Sequence, residues 1–100
     1  GRHLRLKDGA KLVVGRNQEE NGFLQDIQNN KYFHIKTIGI PGPHSLLSKM
    51  ATDEDKKLAA SIILTYCKTS YNESYKLSFD SQEVTSSPFK SRDMIQPYIL

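Results

Sequence analysis

The stretch "HLRLKDGAKLVVG", residues 3–15, limits the possible folds more than any other. Leu4 and Leu6 alternate with Arg5 and Lys7, the period of a strand with one dry face and one wet face. Asp8-Gly9 follows, a tight-turn pair because glycine accepts a positive φ. Residues 11–14 then return as a second, β-branched strand, and Gly15 breaks it. A β-hairpin is therefore expected at the start.

The next segments extend that pattern. Asn17 is placed to cap a helix, with Glu20 three residues on to complete a capping box. Phe23, Leu24 and Ile27 fall on one face of this helix, Gly22 weakens it by about 1 kcal/mol relative to Ala, and "QNNK" ends it. "KYFHIKTIGI", residues 31–40, alternates again: Phe33, Ile35 and Thr37 share one face, Tyr32, His34 and Lys36 the other. "PGP" at 41–43 is a rigid turn, and "HSLLSK" reads as a further short strand. Thr52 with Asp53, Glu54 and Asp55 opens a second helix, where acids suit the dipole. Leu58, Ala59, Ile62, Ile63, Tyr66 and Cys67 form its apolar stripe, with Cys67 as a small buried hydrophobe. "SYKLSFDSQEVTSSPF" is another hairpin turning near Asp80-Ser81-Gln82, and Pro88 belongs at a strand end. The tail "MIQPYIL" is apolar enough to dock on the core. The expected architecture is α+β, a mainly antiparallel sheet with two principal helices in the order β-β-α-β-β-α-β-β, as a single domain over residues 1–100.

Several functional classes drop out. With 37% apolar and 25% charged residues the chain suits a soluble domain, and no apolar run approaches the length of a membrane span. "GRHLRLKDG" has no apolar core of a secretory signal, and Cys67 stands alone, so no internal disulfide or cysteine-cluster zinc site exists; a cytoplasmic protein is expected. His34 and His44 are separated by a strand end and a turn, no Cys or third His belongs with them, and no metal or other cofactor is expected. Ser45 follows His44, but neighbouring strand residues point to opposite faces. No G-x-S-x-G, G-x-x-x-x-G-K or G-x-G-x-x-G motif is present, so this domain is not expected to be an enzyme.

What remains points to binding. The net charge is +3, unevenly spread: Arg2, Arg5, Lys7, Lys11 and Arg16 stand against Asp8 alone, Glu19, Glu20 and Asp26 follow, then Lys31, Lys36 and Lys49. Such striping either tracks phosphates or is solvated surface. Gly15-Arg16-Asn17 at a helix start is either a plain capped turn or an anion site, with Arg16 supplying a planar fork. His34 between Tyr32 and Lys36 is either an ordinary sheet residue or one that stacks on bases.

"DGAKLVVGRNQEEN", residues 8–21, resembles the opening of the NFACT-R family of RNA-binding modules, which has a strand, a Gly-Arg-Asn turn and a second Asn: here Gly15, Arg16, Asn17 and Asn21. "YFHIKTIGIPGPH", residues 32–44, is similar to its second signature through Phe33, His34, Lys36, Pro41, Gly42 and His44, and "KLAASIILTY" to its Ala-rich helix. The stretch from His34 to Pro41 is longer than usual in that family. Pro43 replaces a common Ser, and Asn30 and Lys31 stand where an acid is usual. This divergent form resembles the C-terminal domain of bacterial PP-loop ATPases related to tRNA thiolation enzymes. The resemblance implies an excised domain that binds RNA, tRNA in particular, through Arg16, Asn17, Asn21, His34, Lys36 and His44, with Arg5 as a further contact. The ATP chemistry would lie upstream. The alternatives are a docking module for its own ATPase domain or a sulfur carrier, with an apolar patch around Phe89 and Tyr98, and an enzyme whose two imidazoles converge in a pocket.

Overall fold

A computed structural model describes residues 2–27 and 30–100; the "QNNK" helix stop lies partly outside them. The elements are β1 (Arg2–Arg5), β2 (Lys11–Val14), α1 (Gln18–Asp26), β3 (Tyr32–Ile38), β4 (Ser45–Ser48), α2 (Asp53–Thr65), β5 (Tyr75–Phe79), β6 (Gln82–Ser86) and a closing 3-10 helix, Arg92–Tyr98. All six strands join one antiparallel sheet in the order β1-β2-β4-β3-β5-β6. The architecture is the expected α+β one. None of the described helices is long and apolar enough to cross a membrane.

Strand order follows from two hairpins and one insertion. The Asp8-Gly9 turn joins β1 to β2, with Leu4 opposite Leu12 and Gly9 at φ 97°. Asp80, at φ 55°, and Ser81 join β5 to β6. β4 inserts between β2 and β3, pairing Leu12 with Leu47 on one side and Phe33 with Leu47 on the other.

The register sorts side chains onto two faces. Leu4, Leu12, Val14, Leu47, Ile35, Leu77 and Phe79 lie on the face covered by α2, where each is buried with Ala59, Ile62 and Ile63. Each fully buried Leu or Ile side chain contributes about 1.5–3 kcal/mol, so this layer holds the fold. Ser45 is on this face too, fully buried between Val14 and Ile35 with its hydroxyl unpartnered among the described residues, and so points away from His44 as strand alternation requires. The tail docks as expected: Ile95 is fully buried, Leu4 bridges Ile99, and the Leu100 N–H donates to the His3 carbonyl at 3.0 Å.

Asp55 does more than cap. Its buried carboxylate accepts the Asp8 N–H at 3.1 Å and the Ala10 N–H at 3.2 Å, so the start of α2 is tied to the β1–β2 turn. Thr52 caps α2 through the Asp55 N–H and donates its hydroxyl to Asp8 at 2.7 Å.

Burial refines three of the sequence readings. The apolar face of α1 is not buried: Phe23 is 68% exposed and Ile27 38%, because the helix only rests on the second face of the sheet, where Phe23 and Leu24 meet His3 and Val13. Cys67 is half-buried beyond the end of α2, its thiol donating to the Ile63 carbonyl at 3.2 Å, and burial raises its pKa. Phe89 and Tyr98 pack partly against the core and are not themselves an open apolar surface, whereas Met94, Ile99 and Leu100, near Tyr98 in the chain, are exposed.

Candidate nucleic-acid interface

The second face of the sheet carries His34 and Lys36 on β3. His34 sits opposite Leu46, so His44, two residues before Leu46, is its diagonal neighbour on the same face. The pair meets: His34 Nδ1 and His44 Nε2 are 2.8 Å apart, with the rings tilted at 59°. The His34 N–H is held by Asp80 Oδ1 at 2.9 Å, and Lys49 pairs with the other oxygen of Asp80 at 3.8 Å.

The Gly15 segment reaches the same place. Because β4 lies against β2, the Gly15 N–H donates to the His44 carbonyl at 3.0 Å, and Asn21 Oδ1 accepts the His44 N–H at 3.2 Å. Gly15 is needed for this closeness. A Cβ there would overlap Asn21 Oδ1 and press on the His44 carbonyl oxygen at 3.1 Å. Gly42 plays the same part in the following turn, where a Cβ would come within 2.6 Å of Thr37 Oγ1, itself bonded to the Ile40 carbonyl.

These contacts frame a cleft of about 350 Å³. Asn21 and Gln25 of α1 stand on one side, Lys36 and Thr37 of β3 on another, and the 40–43 turn and His44 close it. Two amides, an exposed ammonium and an apolar turn can hold base edges and a phosphate. His44 is only 6% exposed, and burial first, then the positive charges of His34 and Lys36, push its pKa down to about 4. It is therefore neutral at pH 7 and supplies hydrogen-bonding nitrogens rather than charge.

Of the residues singled out from sequence, Asn21, Lys36 and His44 line this cleft and His34 backs it. Asn17 does not: its side chain accepts the Glu20 N–H at 2.9 Å, while Glu20 accepts the Arg16 N–H at 3.1 Å. The capping box thus already occupies those donors of the turn, and the anion-binding capacity there rests on the exposed Arg16 guanidinium. Arg16 lines a neighbouring cleft with Arg2 and Tyr66. Arg5 stands apart. It pairs in register with Lys11, four residues from Gly15 and so about 13 Å along the strands, and its guanidinium donates to the Gly9 carbonyl at 3.2 Å. Sequence reasoning missed Gln25, one turn beyond Asn21 on the same helix face, and Asp80, for which no local signal existed.

The family model described as the NFACT protein RNA binding domain, NFACT-R_2, matches residues 1–99. The chain belongs to this family. The NFACT-R_2 domain described here is also similar to a solved structure, the C-terminal part of the fibronectin/fibrinogen-binding protein from Streptococcus suis. That match has 15% identity and a TM-score of 0.79, and covers 99% of this chain and 49% of that one. At that identity the likeness establishes the fold, and this NFACT-R_2 domain spans about half the length of that chain. No curated protein matches it.

An RNA-binding role follows from the family, and the cleft suits it. The two imidazoles do meet, as the enzyme alternative requires, but the nitrogens that face each other are engaged with one another and only His44 lines the cleft.

Proposed function

We propose that the domain binds tRNA through the cleft between α1 and β3, with Lys36 on a phosphate and Asn21, Gln25 and His44 contacting an unpaired base, while Arg16, at the neighbouring cleft, takes an adjoining phosphate. The observation that carries this is the meeting of Gly15, Asn21 and His44, two distant signature segments, beside Lys36 in an RNA-binding family. His34 supports His44 from behind. The finer setting rests on sequence resemblance: a domain excised from a longer cytoplasmic protein, serving a PP-loop ATPase of the tRNA-thiolation type.

The test is titration of the domain with bulk tRNA and with duplex DNA at several salt concentrations, followed by backbone amide shifts. Salt-dependent binding that favours tRNA, with shifts at residues 15–25 and 34–44, supports the reading. No binding at low salt overturns it and leaves the docking module, whose surface would then be sought at Phe23 and Ile27, the exposed apolar residues of α1.

A further inference from the structure

We infer that RNA meets a second, purely electrostatic contact around the end of the sheet, where Arg2, Arg16 and Arg92 gather about Tyr66. This rests on the RNA-binding reading and extends it beyond the cleft described above. The guanidinium carbon of Arg2 lies 4.2 Å from the Tyr66 ring centroid, and that of Arg92 5.3 Å. Arg16 lines the same cleft as Arg2 and Tyr66, a space of about 350 Å³. None of the three guanidinium groups forms an ion pair among the described residues. Glu20 accepts the Arg16 backbone N–H, and its carboxylate also interacts with the Arg16 charge, so the uncompensated charge lies chiefly on Arg2 and Arg92.

Collecting like charges on one ring is unfavourable unless something offsets it. Cation–π attraction to Tyr66 offsets a part. A polyanion would offset the rest, and a guanidinium lying against a ring keeps its N–H fork free for phosphate.

The cluster is also continuous with the first cleft. The 40–43 turn that closes the Lys36 cleft lines, on its other side, a depression of about 420 Å³ with Tyr66, Cys67 and Lys68. Tyr66 then opens onto Arg2 and Arg16. Lys36, Lys68 and the arginines therefore mark one track that leaves the second face, rounds the sheet end and arrives beside the C-cap of α2. Lining shared from cleft to cleft suits a single-stranded or unpaired stretch of RNA, whose backbone turns within a few nucleotides, and such a contact reads the backbone alone.

The test compares wild type, R2Q/R92Q, R2K/R92K and K36Q in titrations with a labelled oligouridylate over a series of salt concentrations. Two lost phosphate contacts on a single strand should lower the slope of log affinity against log salt by about 1.4 in R2Q/R92Q; K36Q should lower it by about 0.7. R2K/R92K keeps both charges and should keep the wild-type slope. An unchanged slope in R2Q/R92Q beside a reduced one in K36Q overturns the second contact and leaves the first. A Lys pair as impaired as the Gln pair also overturns it, because the arginines would then act through the fold. A wild type that binds no RNA overturns the RNA reading itself. Urea unfolding monitors the fold, and should R2Q/R92Q be destabilised, R16Q, at an exposed side chain, replaces it with an expected loss of about 0.7.

Discussion

Gly15 and His44 show how much of the site depends on single atoms. Gly15→Ala must displace the Asn21 side chain or the His44 carbonyl, so the variant should lose about 1–3 kcal/mol in urea unfolding and bind tRNA more weakly. His44 makes a pH prediction with a definite sign. Its folded pKa is about 4 against an ordinary 6.5, so between those values the unfolded chain takes up a proton that the folded chain refuses. Its contribution to stability is complete above pH 6.5 and is lost as the pH falls towards about 4. Urea midpoints measured across that window should fall with pH in the wild type and fall less in His44→Gln. At this scale the sequence was a partial guide. Gly15, Asn21, His34, Lys36 and His44 were recognisable by motif, whereas Asp80 holds the His34 backbone from a distant hairpin, and nothing near position 80 marks that contact.

At the scale of elements, the hairpins and α2 were legible because their signals are local: alternation, Asp-Gly, and a threonine cap ahead of three acids. The insertion of β4 between β2 and β3 was not, since pairing partners are chosen by the whole sheet, and that insertion is what brings the Gly15 and His44 segments together. The role of Asp55 was hidden for the same reason, as an acid in a first helical turn reads as a dipole partner. Asp55→Ala would leave the buried Ala10 N–H and the partly buried Asp8 N–H without their acceptor, and should lower stability by about 2–4 kcal/mol by urea unfolding. Asp55→Asn, nearly isosteric and still an acceptor, should lose less. Phe23→Ser, on a helix with no buried residue, should change the midpoint by no more than about 0.5 kcal/mol.

For the whole molecule, the asymmetry of the two sheet faces organises function. One face is closed by α2 and the tail; the other is only partly covered by α1, and the uncovered part carries the cleft. The tail belongs to this arrangement: Ile95 is as buried as any residue in the core. Ile95→Ala should therefore destabilise the whole domain by about 2–5 kcal/mol in a single urea transition, with no separate early loss of the tail. The bridge between Leu4 and Ile99 adds a mechanical consequence. The first strand runs antiparallel beside the last residues, and cross-strand hydrogen bonds lie perpendicular to the strands. Traction on the two ends loads those bonds one after another instead of together, so the domain should yield at low force by unzipping from the β1 edge, dismantling the arginine cluster around Tyr66 before the rest of the sheet.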